Sequence, residues 1–279
     1  MSRVSPQRSV VRVTVGGAAR RERDVLAGEE PLELRVNGRS LAVTMRTPGN
    51  DFDLAAGFLV SEGVISNVRE LRAMRYCVGT DVAEVNQFNI LELNLAEGVA
   101  APSDDVARAF FTTSSCGLCG KASIDAVRTR SKFNVSDDPM LVSAAFLSTL
   151  PDRLREAQSV FDKTGGLHAA ALFRATGELL AVREDVGRHN AVDKVVGWAL
   201  REGQLPLRSS ILLVSGRASF ELVQKAIMAG VGMLCAVSAP SSLAVDLAQE
   251  AGLTLVGFLR GPSMVVYAGA ERVSEAAQA

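Results

Sequence analysis

The chain has 279 residues, of which 30 are basic, 31 are acidic and 48% are hydrophobic. This length suits one large domain or two ordinary ones, and the hydrophobic fraction suffices for a core without disulfides or metals. The balanced charge argues against a dedicated nucleic-acid-binding protein, because neutralising phosphates requires a basic excess. Four cysteines in a chain of this length are not a disulfide framework, which favours a reducing compartment.

The arginine-rich N-terminus contains no apolar segment of the kind that forms a signal peptide. We expect its basic stretch, residues 3–23, to be a frayed and solvated tail. Residues 226–245 contain no charged side chain and could be mistaken for a membrane span. Pro240 and several serines and glycines interrupt them, so we interpret them as a buried strand, a turn and a helix start. These features predict a cytoplasmic protein that does not enter membranes.

The first part of the chain has the pattern of a β-rich domain. Asn37-Gly38 is the strongest short-range signal for a hairpin. The predicted elements, in chain order, are strands at 32–36 and 40–45, a helix at 51–62, strands near 73–78 and 86–95, and a short helix at 105–111. We expect Asn50 or Asp51 to cap the first helix and Gly63 to end it. The turn-like residues 133–138 suggest an N-terminal domain over residues 1–135.

Beyond that boundary strands alternate with helices, which predicts an α/β domain over residues 136–279 with a mostly parallel sheet. The predicted helices lie at 145–160, 190–201, 220–229 and 241–250, and the strands at 168–173, 178–182, 211–214, 233–237, 253–258 and 264–267. Open α/β sheets bind ligands beyond the carboxyl ends of their strands. The loops expected there, 215–219, 238–242 and 259–263, are small and polar, and two carry an arginine, which favours a phosphate-bearing ligand.

Residues 112–121, with the sequence TTSSCGLCGK, form a loop that contains Cys116 and Cys119. Small neighbours leave both thiols accessible, and Lys121 favours the thiolate. A helix predicted at 123–130 would add N-terminal amides that stabilise a thiolate at Cys119. The other two cysteines stand alone, and Cys235 has the surroundings of a small core hydrophobe.

The residues alone leave four interpretations of the cysteine pair open. A structural zinc site needs four ligands, and the chain offers only His168 and His189 besides the cysteines. A dithiol redox couple normally follows a strand directly and opens a helix. A persulfide carrier needs an accessible thiolate on a loop that can reach two partners. The fourth interpretation is a plain turn with two cysteines in it.

The two histidines lie in polar, glycine-containing segments. His168 stands among small residues at the start of a predicted strand, where a structural role and a role in proton transfer or ligand binding are equally compatible with the sequence. His189 belongs to residues 184–190, EDVGRHN, which precede a predicted helix. There Asp185 or Asn190 can cap the helix, and Arg188 or His189 can face a pocket.

Together these segments resemble the FdhD family, the formate dehydrogenase accessory sulfurtransferases. The resemblance rests on residues 111–121, 164–170, 184–194, 215–221 and 256–261, in this order. It implies a cytoplasmic sulfur carrier that accepts sulfur from a cysteine desulfurase as a cysteine persulfide. The carrier passes this sulfur to a molybdenum cofactor, Mo-bis(molybdopterin guanine dinucleotide), before the cofactor enters formate dehydrogenase. It also implies a homodimer whose larger domain has a cytidine-deaminase-like three-layer fold.

The resemblance also assigns roles to individual residues. It makes Cys116 the catalytic persulfide carrier and Cys119 an accessory thiol, with no metal bound by the protein itself. It assigns cofactor binding, which a guanine nucleotide would mimic, to Phe258, Leu259, Arg260, Gly261, Pro262 and Ser263. The family pattern ends this stretch with a second basic residue where this chain has Pro262-Ser263. We therefore expect Arg260 to make more of the phosphate contact.

Overall fold

The computed structural model of the protein describes residues 3–77, 88–102 and 131–274. The cysteine loop at 112–121 and the helices predicted at 105–111 and 123–130 lie outside the described residues. The other predicted elements fall within the described part wholly or in large measure.

The N-terminus forms an antiparallel hairpin of β1 (Gln7–Arg12) and β2 (Arg20–Val25), so the prediction of a frayed tail is wrong. Cross-strand pairing explains the difference, because Arg12 and Glu22 form an ion pair between the two strands. Gly16, with a φ of 81°, lies in the connecting turn, a conformation that favours glycine. The density of arginines obscured the alternation of a strand in the sequence.

The predicted hairpin around Asn37-Gly38 is confirmed. Strands β3 (Glu30–Val36) and β4 (Arg39–Arg46) are antiparallel, and φ is 49° at Asn37 and 81° at Gly38, as a tight type I′ turn requires. Strands β5 (Leu71–Tyr76) and β6 (Ile90–Leu95) complete a four-stranded sheet in the order β4-β3-β6-β5. Helix α1 (Asp51–Ser61) follows β4, close to its predicted bounds.

A six-stranded sheet dominates the rest of the structure, in the order β13-β12-β11-β10-β8-β9. Its strands are β8 (His168–Arg174), β9 (Leu179–Asp185), β10 (Ser210–Val214), β11 (Met233–Ala236), β12 (Thr254–Arg260) and β13 (Ser263–Ala268). Only β10, β11 and β12 run parallel, so the prediction of a mostly parallel sheet is wrong and the sheet is mixed. Short turns join β8 to β9 and β12 to β13, and connections of that length allow only antiparallel pairing. A short pair, β7 (Val142–Ser143) and β14 (Val273–Ser274), lies apart from this sheet.

Helices cover both faces of this sheet, which gives the mixed α/β class that the sequence predicts. They are α2 (Ala144–Ala157), α3 (Phe161–Thr164), α4 (Arg188–Arg201), α5 (Phe220–Met228) and α6 (Ser242–Ala251). Alternate strand residues point to opposite faces. On one face Phe173 and Leu213 pack with α2, and on the other Leu172 and Leu212 join the cluster that contains residues of α4, α5 and α6.

The cluster that contains residues of α4, α5 and α6 also contains residues of α1 and of the four-stranded sheet. Residues from both predicted domains therefore share one core. The domain division at residue 135 remains a prediction. Within the described residues no helix has the length and apolar composition needed to cross a bilayer. Residues 226–245 contain the end of α5, all of β11 and the start of α6, as interpreted from the sequence.

Two glycines allow α1 and α4 to cross at close range. A Cβ built on Gly57 would lie 1.8 Å from the backbone oxygen of Asp193, and one built on Gly197 would lie 1.8 Å from that of Asp53. Both glycines are buried in the contact, where the obstructing atoms are backbone and cannot rotate away.

Replacing Gly57 by alanine is expected to lower the free energy of unfolding by about 2–3 kcal/mol, because the two helix backbones must separate. Urea denaturation measures this loss. The matched control is Gly17→Ala, whose added methyl group meets only the Thr14 side chain and backbone at 3.4 Å or more, and it should change stability by less than about 0.5 kcal/mol. Equal stability of the two variants would contradict close helix packing.

Candidate functional site

The loops that follow β10, β11 and β12 lie side by side at the carboxyl edge of the three parallel strands. The Ser241 amide donates a hydrogen bond to the Ala218 carbonyl oxygen at 3.0 Å, and the Phe258 amide donates to the Ser238 carbonyl oxygen at 3.2 Å. The sequence placed these three loops at one edge, and the structure confirms that they are neighbours.

A pocket of about 760 Å³ opens beside these loops. One side is formed by residues at strand ends, namely Val186, Ser215, Val237, Leu259, Arg260 and Gly261. The opposite side comes from α2, α3 and the segment before β8, namely Pro151, Asp152, Leu154, Arg155, Gln158, Phe161, Gly165, Gly166, Leu167 and His168. The pocket therefore joins parts of four motif segments that are far apart in the sequence.

Arg260 is the basic side chain of the strand-end side of the pocket. Its Nε atom donates a hydrogen bond to the Val237 carbonyl oxygen at 2.9 Å, which fixes the guanidinium group at the mouth. Within the described part of the chain its two Nη atoms have no protein partner, so they are available to an anion. A guanidinium group held in this way can make a two-point contact with a phosphate.

The six residues assigned to cofactor binding do not all lie in the pocket. Leu259 and Gly261 line it with Arg260, whereas Pro262 and Ser263 are exposed and are not among the lining residues. Phe258 lies in a β-bulge with a φ of 50°, and its side chain is 40% exposed. A bulky residue rarely adopts this backbone conformation. The three residues that follow Phe258, namely Leu259, Arg260 and Gly261, line the pocket.

His168 lies at the start of β8 and contributes its side chain to the pocket. Ser215 anchors this position from the neighbouring strand end. The Ala169 amide donates to Ser215 Oγ at 2.9 Å, and the Ser215 amide donates to the Ala169 carbonyl oxygen at 3.0 Å. Burial, and then the positive charge of Arg188, lower the pKa of His168, while Asp185 opposes the shift. The imidazole is therefore neutral at neutral pH, with one ring nitrogen able to donate and the other to accept.

Asp185 and Lys194 form a fully buried ion pair beneath this site. Lys194 Nζ lies 2.7 Å from Asp185 Oδ2, which also accepts a hydrogen bond from the Thr47 amide at 3.1 Å. Asp185 Oδ1 accepts from the Gly187 amide at 2.8 Å and from Asn190 Nδ2 at 3.0 Å. Asp185 thus holds the turn before α4, whereas the Asn190 amide group acts as a donor. The N-cap of α4 is Gly187, which has no side chain to accept from the amides of the first turn. Of the two predicted capping residues, Asp185 satisfies the amide of Gly187, whereas the Asn190 side chain donates to Asp185.

Glu184 fixes the side of the pocket that α2 and α3 form. Its carboxylate accepts hydrogen bonds from the Val160 amide at 3.0 Å and the Phe161 amide at 2.7 Å, at the start of α3. Arg155 stacks over the Phe161 ring, with its guanidinium carbon 4.8 Å from the ring centre, and forms an ion pair with Asp162. These contacts give the outer rim of the pocket a defined shape.

His189 is not among the residues that line the pocket, so its predicted pocket role stays a prediction. Its Nε2 atom is 3.3 Å from Ser219 Oγ and 3.9 Å from a carboxylate oxygen of Glu221. Burial, followed by the positive charges of Lys225 and Arg188, lowers its pKa to about 4. His189 is therefore neutral in the folded protein at neutral pH.

Besides burial, the positive charge of Arg188 lowers the pKa of both His168 and His189. A Cβ built on Gly216 would lie 3.4 Å from His168 Nδ1 and 3.9 Å from Arg188 Cδ, so the backbone of the loop after β10 passes close to both side chains. The buried Nε atom of Arg188 has no hydrogen-bond partner among the described residues.

Of the four cysteines, Cys77 and Cys235 lie within the described residues, and both are free thiols. Cys116 and Cys119 lie outside the described residues. Cys235 is fully buried in β11, where burial raises the pKa of its thiol, and this confirms its interpretation as a core residue. Among residues 3–77, 88–102 and 131–274, no group of three or more histidine, cysteine, aspartate or glutamate side chains is arranged to hold a metal ion.

Sequence reasoning missed the residues that α2 and α3 contribute, among them Asp152, Arg155, Gln158 and Phe161. The amphipathic pattern of residues 145–160 separates buried from exposed positions, but it does not show which exposed positions face a pocket. The sequence also carried no indication of the role of Thr47. Its backbone amide donates to Asp185, and any residue type except proline could make that bond.

The family model described as the FdhD/NarQ family matches residues 27–274. The chain belongs to the FdhD/NarQ family. Two similar relatives are both called "Sulfur carrier protein FdhD". The one from Streptomyces coelicolor is 61% identical over 275 residues, which cover 98% of this chain and 97% of the relative. The one from Mycobacterium tuberculosis is 57% identical over 254 residues, which cover 90% of this chain and 92% of the relative.

A solved structure also has this fold. It is described as a putative formate dehydrogenase accessory protein from Desulfotalea psychrophila, and its similarity covers 97% of this chain and all of the other with a TM-score of 0.74. The sequences are 22% identical, so this comparison supports the fold alone. The resemblance to the FdhD family that the motifs indicate is thus confirmed at the level of family and fold.

The neutral state of His189 predicts how stability depends on pH. In the unfolded chain a histidine titrates near its ordinary pKa of about 6.5, whereas the folded protein takes up this proton only near pH 4. The unfolded state therefore binds more protons in this interval, and stability falls as pH decreases from about 6.5 toward 4. We expect the His189→Gln variant to lose less stability than the wild type between pH 7 and pH 5 in urea titrations. Identical slopes for the two proteins would exclude a buried neutral His189.

Proposed function

We propose that this protein is a sulfurtransferase that carries sulfur to a molybdenum cofactor. In this proposal Cys116 accepts sulfur from a cysteine desulfurase as a persulfide. The terminal sulfur passes to Mo-bis(molybdopterin guanine dinucleotide) before that cofactor enters formate dehydrogenase. The observation that carries the proposal is the single pocket that joins Gly165–His168, Ser215 and Leu259–Gly261. The names of the relatives add support.

The chemistry of the pocket suits one nucleotide arm of such a cofactor. Arg260 offers free guanidinium nitrogens for a phosphate, and neutral His168 offers one donor and one acceptor for a polar ring or a hydroxyl. A volume of about 760 Å³ lies within the range of small-molecule sites. A cofactor with two nucleotide arms is larger than this, so we propose that a second copy of the chain holds the other arm in a homodimer.

The sulfur-loading step requires an accessible thiolate. The Cys116 thiolate attacks the terminal sulfur of the persulfide on the desulfurase, the sulfur–sulfur bond breaks, and the desulfurase cysteine leaves as a thiolate. No external oxidant or reductant is needed for this exchange. Lys121 would stabilise the thiolate, and Cys119 is proposed as an accessory thiol. Cys235 is unsuited to the step, because burial keeps its thiol protonated and inaccessible.

Two further properties remain part of the proposal. The site of action is the cytoplasm, where a reducing environment keeps thiols free. The three-layer arrangement around the six-stranded sheet is proposed to be related to that of cytidine deaminases. Neither membranes nor nucleic acids are proposed as partners.

The first test is the location of the transferred sulfur. After incubation with a cysteine desulfurase and cysteine, peptide mass spectrometry should find one added sulfur atom on Cys116. Cys116→Ser should abolish this loading, and Cys235→Ser should leave it unchanged. The proposal fails if neither Cys116 nor Cys119 carries sulfur. If Cys116→Ala retains formate dehydrogenase activity in cells, the protein acts instead as a docking module for the cofactor.

The second test concerns the pocket. Guanosine diphosphate should bind, and Arg260→Gln should weaken its affinity by about 10-fold or more, since a charge-assisted phosphate contact is lost. The control is Arg217→Gln, which removes an exposed arginine that does not line the pocket. Isothermal titration calorimetry measures both affinities. An equal loss in the two variants would show that only general positive charge matters.

A further inference from the structure

The hairpin of β1 and β2, residues 7–25, is a distinct arm whose two strands pair with each other. At its base, the two chain segments that lead into and out of the arm remain paired with each other. The Leu26 amide donates to the Pro6 carbonyl oxygen at 2.9 Å, and the Gly28 amide donates to the Val4 carbonyl oxygen at 2.8 Å. A Cβ built on Gly28 would lie 2.0 Å from the backbone oxygen of Arg3, so the two chain segments at the base are in close contact.

The base of the arm adjoins the rim of the pocket. A Cβ built on Gly166 would lie 3.4 Å from the Cβ atom of Ala27, and Gly166 lines the pocket. Ala27 follows β2 by two residues, so the arm arises next to the pocket wall that contains Gly165–His168. A protein that holds the arm is therefore brought close to the pocket mouth.

One face of the arm combines exposed valine with arginine. In the strand register Val11 lies opposite Arg21 and Ser9 lies opposite Arg23, which places these side chains on the same face. Val11 is 56% exposed, and Val13 and Val15 in the connecting segment are 69% and 100% exposed. Within the described part of the chain, Arg21 and Arg23 have no acidic partner.

The opposite face of the arm carries both of its acidic residues. There Arg8 lies opposite Asp24 in the register, Arg12 forms its ion pair with Glu22, and Arg20 lies opposite Arg12. The arm thus has one face on which two carboxylates offset two of three arginines, and one face whose two arginines have no carboxylate beside them. Exposed apolar side chains together with arginine, and no lysine anywhere in residues 7–25, are typical of a protein interface and not of an ordinary solvated surface.

We infer that the arm is a docking element for an acidic surface of the formate dehydrogenase that receives the cofactor. This inference rests on the proposed function. Charge complementarity selects an acidic partner, and a second copy of the chain would instead set Arg21 and Arg23 against the same residues in a two-fold interface. Because the arm lies beside the pocket, its partner should be the protein that takes up the cofactor from the pocket. The match to the family model begins at residue 27, so the arm is additional to the segment that the model describes.

The experiment measures binding of the full-length protein to immobilised, cofactor-free formate dehydrogenase of the same organism. We expect Arg21→Glu/Arg23→Glu to weaken the affinity by about 10-fold or more, and the wild-type affinity to fall as salt is raised. A second variant replaces residues 7–25 by Asn-Gly, a turn that can join Pro6 to Leu26 because these two residues are hydrogen-bonded opposite each other. It should weaken binding at least as much.

The matched control is Arg69→Glu/Arg72→Glu, the same charge change at two exposed positions near the start of β5. It should bind like the wild type. Sulfur loading of Cys116 and affinity for guanosine diphosphate should be unchanged in all variants, so a failure of the proposed function would show in these two assays and a failure of the docking inference in the binding assay. The inference is overturned if the wild type does not bind the enzyme, if the arm variants bind equally well, or if the arm variants lose binding only to the cysteine desulfurase, to RNA or to anionic vesicles.

Discussion

The buried pair of Asp185 and Lys194 is the constraint on which the rest of the site depends. Two charges with side-chain exposures of 0% and 1% are stable in the interior only when their remaining hydrogen-bonding capacity is satisfied. Here the required partners come from separate parts of the chain. Lys194 donates to the Thr47 carbonyl oxygen at 2.9 Å, and Asp185 accepts from the Thr47 and Gly187 amides. Satisfying the pair therefore fixes the end of β4, the end of β9 and the start of α4 relative to one another.

This arrangement also determines the electrostatics of the pocket. His168 is the register partner of Asp185 across β8 and β9, so the position that the ion pair fixes is also that of the pocket histidine. Burial, and then the positive charge of Arg188 at the first residue of α4, lower the pKa of His168 and keep it neutral. In the proposed function, Arg260 would supply the positive charge that attracts a phosphate-bearing ligand, and the neutral imidazole of His168 would orient the ligand through directional hydrogen bonds. Protonating His168 would add a second cation, which the positive charge of Arg188 opposes.

The sequence predicted those features that follow from short-range rules. Asn37-Gly38 identified a hairpin, and buried apolar strands followed by small polar residues identified the three loops at the edge of the sheet. The sheet direction was harder, because periodicity shows where a strand lies but not which strand it pairs with, so β8 was not recognised as antiparallel to β10. The contributions of Arg155 and Phe161 to the pocket, and the pairing that orders residues 7–25, depend on tertiary contacts that no local pattern shows. The two cysteines, the clearest chemical signal in the sequence, lie outside the described residues.

The proposed ligand pocket and the proposed docking arm involve different residues of the chain. The pocket is anchored by the buried ion pair, and the close crossing of Gly57 and Gly197 holds α1 against α4, while Asp53 at this crossing also accepts hydrogen bonds from Arg183. Substitutions in these elements disturb the core and are costly. Among the described residues, no hydrogen bond or ion pair joins the arm at residues 7–25 to Asp185, Lys194 or Thr47, so we expect changes of its charges to have little effect on folding. A carrier that must match one particular enzyme would gain that selectivity most easily from such an arm, because the chemistry of the pocket would then be left intact.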